Sequence, residues 1–154
     1  MIDTSVSLQE INKRGAGNMG EHLGIEFIEI NEAYLKARLP VDYRTTQPLG
    51  MLNGGASAAL AETVGSMAAY LSVDRNNFYT LGLEIKVNHI KSAMSGFVIG
   101  TAKPVHLGKR THVWQIETKD ESDNLIALST LTMAVLEVDD KMRAVYKDLF
   151  FSNK

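Results

Sequence analysis

The stretch that most constrains this chain runs from Ala56 to Leu71, drawn largely from Ala, Leu, Val and Met and free of proline. These residue types favour helix. They leave no wide polar face, so the helix has to be enclosed by protein on most sides. A loop marked by Pro48 and Gly50 leads into it, and Asn53 or Ser57 is placed to cap its start. A chain carrying such a helix must supply enough apolar surface elsewhere to surround it.

Inside this apolar helix Glu62, Ser66 and Tyr70 recur at four-residue spacing and therefore share one side. An ionised carboxylate buried without partners is costly, or else takes up a proton. Two readings of Glu62 follow. In one, the helix edge surfaces there and the carboxylate is solvated, as most Glu side chains are. In the other, Glu62 does chemistry. The Gly54-Gly55 pair just upstream favours the second reading, because it lets another group approach backbone N–H donors at the positive end of the helix. An oxyanion can sit there.

The flanking segments read as the enclosure. Ser7 to Arg14 is a short helix with Ser7 as N-cap, Glu10 closing a capping box, and Gly15 or Gly17 ending it. Residues 24–30 and 33–39 alternate apolar with polar around the turn pair Asn31-Glu32, which predicts a hairpin. After the central helix come four strand-like segments, 78–90, 96–106, 111–119 and 125–138, separated by turns rich in Gly, Ser, Asn and Asp. The last three should form a meander. The expected class is α+β, an antiparallel sheet of about six strands around one long central helix. Residues 139–154 carry Met142, Val145, Tyr146, Leu149 and Phe150 at helical spacing and read as a packing extension.

With 154 residues, 45% hydrophobic, the chain suits one domain over 1–154. A net charge of -2 with scattered Lys and Arg argues against nucleic acid. Nothing resembles a signal peptide, and Glu62 interrupts the longest apolar run, so no membrane is expected and the cytoplasm is the default. The absence of Cys excludes thiolate metal sites, and no two of the four His stand at a zinc spacing. No cofactor or metal is expected. A serine-hydrolase elbow is missing as well. His22 and His112 read as structural.

Gln47, Pro48 and Gly50, then Asn53-Gly54-Gly55-Ala56-Ser57, then Ala61-Glu62 and Gly65-Ser66, form an ordered pattern. It resembles the active-site segment of hotdog-fold acyl-CoA thioesterases, closest to the 1,4-dihydroxy-2-naphthoyl-CoA and enterobactin-proofreading branch. The resemblance extends from about Gly15 to Glu137 through Gly17-Asn18-Met19, Pro40-Val41-Asp42, Gly82-Leu83-Glu84, Asn88-His89, His106-Leu107-Gly108 and Val113-Trp114-Gln115-Ile116. One departure stands out: the family has His immediately before the two glycines, and this chain has Asn53.

The resemblance implies thioester hydrolysis with Glu62 as general base or nucleophile. Gly55 would bind the oxyanion, Ser66 would hold water or substrate, and Gln47 would orient the carbonyl or the Asn53 loop. It implies a pocket His at His89, contributed across a dimer, with Val64, Met67, Gly82 and Leu83 near the acyl group. His106 and Gly108 with Lys109 and Arg110 would meet CoA phosphates. It further implies a homodimer or dimer of dimers, acting on acyl-CoA or on an acyl-carrier protein thioester. Two alternatives stand beside this: an acyl-CoA binding protein that lost turnover with the loop His, and a dehydratase of 3-hydroxyacyl thioesters.

Overall fold

The computed structural model of the chain describes residues 1–140 and 142–143; most of the expected packing helix in the tail lies outside these residues. Two short helices, α1 (Leu8–Arg14) and α2 (Met19–Leu23), precede a hairpin of β1 (Glu26–Asn31) and β2 (Tyr34–Pro40). The long helix α3 (Gly54–Tyr70) follows, and then β3 (Phe78–His89), β4 (Phe97–Leu107), β5 (Thr111–Asp120) and β6 (Leu125–Glu137). The strands form one antiparallel sheet in the order β1-β2-β4-β5-β6-β3, so β4, β5 and β6 are the expected meander.

Local chemistry sets the boundaries. Ser7 caps α1 with the full capping box, its hydroxyl accepting from the Glu10 N–H while the Glu10 carboxylate accepts from the Ser7 N–H. The first strand begins at Glu26 rather than Gly24, because Gly24 (φ +77°) ends α2 in the left-handed region. Helix α2 itself is a finding: five residues between glycines are too few for the apolar period to show.

Helix α3 lies against one face of the sheet through Ser57, Leu60, Ala61, Val64, Gly65, Ala68 and Ala69, all buried. Gly65 explains how close the approach is. A Cβ there would come within 2.5 Å of Leu131 Cδ2 and 3.3 Å of Ile116 Cδ1. The floor beneath consists of Trp114, Ile116, Leu131 and Met133, each at most 1% exposed. Burial of each such side chain contributes roughly 1.5–3 kcal/mol.

The two edges of the sheet differ. At β1 the Asn12 carboxamide bonds the Phe27 backbone on both sides, donating to its carbonyl (2.9 Å) and accepting from its N–H (2.8 Å). At β3 only β6 is paired, and Leu81 and Leu83 are 51% and 65% exposed.

His112 on β5 is 3% exposed, and burial holds its pKa below the ordinary histidine value, with His106 and the chain's amino terminus adding in the same direction. Unfolded, this imidazole gains its proton near pH 6.5; folded, it holds out to lower pH. Its contribution to stability is therefore complete above about pH 6.5 and is lost as the pH falls through the folded value. We expect the melting temperature to drop as the pH is lowered from about 7.5 toward 5.5, and His112→Gln to flatten that part of the curve. An identical slope in the variant would assign the dependence to other groups.

Candidate active site

The loop before α3 delivers the first group of expected residues. Thr46 bridges to Leu52, and Gln47 N–H donates to the Met51 carbonyl (2.8 Å), closing a turn in which Gly50 takes φ +80°. The Gln47 carboxamide oxygen accepts from the Leu49 N–H at 2.7 Å. Asn53 is the N-cap of α3: its Oδ1 accepts from the Gly55 N–H at 2.7 Å. The expectation for Gly55 is corrected accordingly. Its N–H is engaged by the cap, so an incoming oxyanion must displace the Asn53 side chain or use the neighbouring N–H groups of this first turn, which have no intrahelical partner.

His89, at the end of β3, packs over this helix start. Its Nε2 lies 3.0 Å from where a Gly54 Cβ would sit, so the imidazole lies close over Gly54 and would have to give way to a side chain there. Gln47, Gly54, Ser57 and His89 line one cleft of about 310 Å³, completed by Met51, Leu52, Ile126 and the segment Ile90-Lys91-Ser92-Ala93. His89 thus meets the helix start within its own chain.

Glu62 belongs to a second cluster. It is half-buried, its Oε1 accepts from Ser66 Oγ at 3.2 Å, and the Ser66 hydroxyl also lies 3.7 Å from Met133 Sδ. The carboxylate rests on β3 at Gly82, where a Cβ would come within 2.5 Å of Oε1. Gly82 opposes Met133 and Glu84 opposes Thr132, so a register shift places Leu83 at a bulge. Neither Met133 nor the bulge was expected from the sequence, because both depend on how β3 and β6 align.

The remaining candidates are dispersed. Val64 is corrected: it is 0% exposed and packs over Gly100 of β4, so it belongs to the core and not to a pocket wall. Met67 is half-buried against the same core. His106, Lys109 and Arg110 are exposed around the β4–β5 turn, where Gly108 N–H donates to the Thr111 carbonyl (2.9 Å) and His106 folds over Gly108. His22, read as structural, is exposed on α2. Among the described residues no cluster of His, Cys, Asp and Glu could hold a metal ion. No helix there is long and apolar enough to cross a membrane.

This arrangement, a carboxylate on the central helix beside a sheet edge with backbone donors at the helix start, can be compared with known families. The thioesterase superfamily matches residues 49–127, which include all of α3 and its start. The chain belongs to the thioesterase superfamily. The thioesterase is 48% identical over 131 residues to the 1,4-dihydroxy-2-naphthoyl-CoA hydrolase of Escherichia coli K12, covering 85% of this chain and 96% of that one. It is 43% identical to the proofreading thioesterase EntH of Cronobacter turicensis, covering 85% and 95%. A solved mutant of thioesterase PA1618 from Pseudomonas aeruginosa superposes with a TM-score of 0.87 at 40% identity, covering 89% and 99%. The fold of this thioesterase is the hotdog fold, and its activity is the hydrolysis of thioesters.

Proposed function

We propose that the thioesterase hydrolyses acyl-CoA thioesters with an aromatic or medium-chain acyl group, at a site completed by a second copy of the chain. The observation that carries this reading is a distance along α3. Glu62 follows Gly55 by two turns of helix, about 10 Å of rise. A thioester carbonyl needs its base or nucleophile and its oxyanion donors each about 3 Å away. One chain holds both groups but cannot apply both to one carbonyl.

The β3 edge supplies the remedy. Glu62 rests on Gly82 and His89 rests on Gly54, so both clusters are anchored to the same edge strand. If two β3 edges pair antiparallel about a twofold axis near Ile85 and Lys86, the partner's His89 lies beside Gly82 and each cleft faces the other chain's carboxylate. Pairing also covers Leu81 and Leu83 and satisfies the edge backbone. A dimer of such dimers, and the cytoplasm as the place of action, belong to the same proposal.

At the shared site Glu62 either takes a proton from the attacking water or itself attacks the carbonyl. The carbonyl oxygen becomes an oxyanion held by helix-start N–H groups, a contribution of about 2.7–4 kcal/mol where such a donor has been removed. The C–S bond then breaks and the thiolate of CoA leaves and gains a proton. Where water attacked, the free acid remains; where Glu62 attacked, a mixed anhydride forms that a water molecule then hydrolyses to the free acid and the regenerated carboxylate. Gln47 donates toward the carbonyl once its amide is released from the loop. Ser66 holds the water or the carboxylate. Met67 and Leu83 offer apolar surface to the acyl group, and His106, Gly108, Lys109 and Arg110 take the CoA phosphates. Hydrolysis assays over aryl, medium-chain and long-chain acyl-CoAs, and over an acyl-carrier protein thioester, test the substrate. No turnover of any CoA ester would refute this reading.

Asn53 is where this chain departs from the family, and it makes a separate prediction. A carboxamide cannot be protonated near pH 7, whereas an imidazole can. Asn53→His should raise kcat with little change in KM, by offering a proton to the departing thiolate. It should also lower stability by about 0.5–2 kcal/mol, because the cap on Gly55 is lost. Equal rates for both proteins would show that position 53 donates no proton.

A further inference from the structure

We infer that Gly82, with the β3 bulge it opens, is a positioning residue for the Glu62 carboxylate: the missing side chain is the space in which that carboxylate is held. The inference rests on the thioesterase reading above and adds a role for a residue otherwise expected only to touch substrate.

Three observations converge on it. A Cβ at position 82 would come within 2.5 Å of Glu62 Oε1, 3.5 Å of Cδ and 3.8 Å of Oε2, so the whole carboxylate faces this one backbone position. The same residue starts the register shift against β6, after which Glu84 rather than Leu83 opposes Thr132. Its cross-strand partner Met133 is 1% exposed, and the Met133 sulfur lies 3.7 Å from the Ser66 hydroxyl, which itself donates to Glu62 Oε1 at 3.2 Å. Gly82 therefore faces the carboxylate directly, and its cross-strand partner Met133 stands beside the Ser66 hydroxyl that bonds the carboxylate.

Backbone needs do not explain this glycine. Its φ lies outside the left-handed region, and the residue is exposed on an edge strand, where glycine weakens a strand relative to a residue with a side chain. Nor, within the chain, would a methyl group there strike anything rigid. The obstructing atom is the end of a flexible side chain, so the fold can accept alanine by letting the carboxylate swing aside. That swing moves the reacting group while leaving the scaffold in place. A displacement on the order of 1 Å at a catalytic group can cost about 10²-fold.

The test is Gly82→Ala, read in three ways. Its melting temperature should equal or exceed that of the native protein, while kcat falls about 10- to 100-fold with KM little changed. The ¹³C resonance of the Glu62 side-chain carboxyl should shift, a readout that needs no turnover. In a Glu62→Asp background the carboxylate is drawn back by about 1.5 Å, so Gly82→Ala should cost nothing further there, a non-additive pair. Native kcat together with an unmoved Glu62 resonance would overturn the inference. So would equal losses in both backgrounds, or a fall in melting temperature that accounts for the lost activity. If the native protein hydrolyses no thioester, the functional reading fails on its own, and the resonance alone decides the role of Gly82.

Discussion

Glu62→Gln should fold as the native chain does and lose about 10²–10⁴-fold in turnover, the usual worth of a positioned general base. The replacement is nearly isosteric. Its amide oxygen can still accept from Ser66 Oγ, and its planar end can still lie on Gly82, so the packing that surrounds the carboxylate survives. What disappears is the ability to accept a proton or to attack a carbonyl. The measurement is kcat on the best acyl-CoA found, alongside a thermal melt. Native turnover in a folded variant would remove Glu62 from the mechanism and leave the solvated-edge reading of this residue standing.

Complementation between two inactive chains is the second large effect. Gly54→Val places a branched side chain where His89 Nε2 already stands 3.0 Å from the Cβ position, so the cleft at the start of α3 should close. Glu62→Gln disables the other half. If each site draws its cleft from one chain and its carboxylate from the other, each variant alone is inactive. Co-expressed, they form mixed dimers with one intact site, and about a quarter of native activity should return for random pairing about a twofold axis. Sites contained within one chain would give no recovery. Monomers in light scattering, still active at the native rate, would exclude sharing by an independent route.

Some of this was legible in the sequence, and the reasons differ by residue. Strand alternation and the Ser7–Glu10 box have local causes, and the hairpin, the meander and α1 stand where expected. Asn53 also acts locally, and the structure gives it the plainer of its two expected roles, the helix cap. Val64 was misplaced for the reason that made α3 recognisable. A helix without a wide polar face carries no mark of which side meets the sheet, and Val64 falls on the stripe with Leu60, Ala61 and Ala68 that faces inward. The seat of Glu62 was hidden because Gly82 reaches it, and Met133 reaches Ser66, only through the β3–β6 register, which shifts at a bulge no single residue announces.

Asn12 bears on how large an assembly can grow. A sheet with two bare edges can add copies at both ends without limit, and exposed edges are the usual templates for such stacking. Here a side chain from α1 already acts as the missing neighbour of β1 at Phe27, presenting one donor and one acceptor where another strand would dock. Under the proposed pairing through β3, the far end that each copy would still present is blocked at Phe27. One carboxamide therefore disfavours a filament, and the Asn12→Ala variant is where chain-to-chain polymerisation should first be looked for.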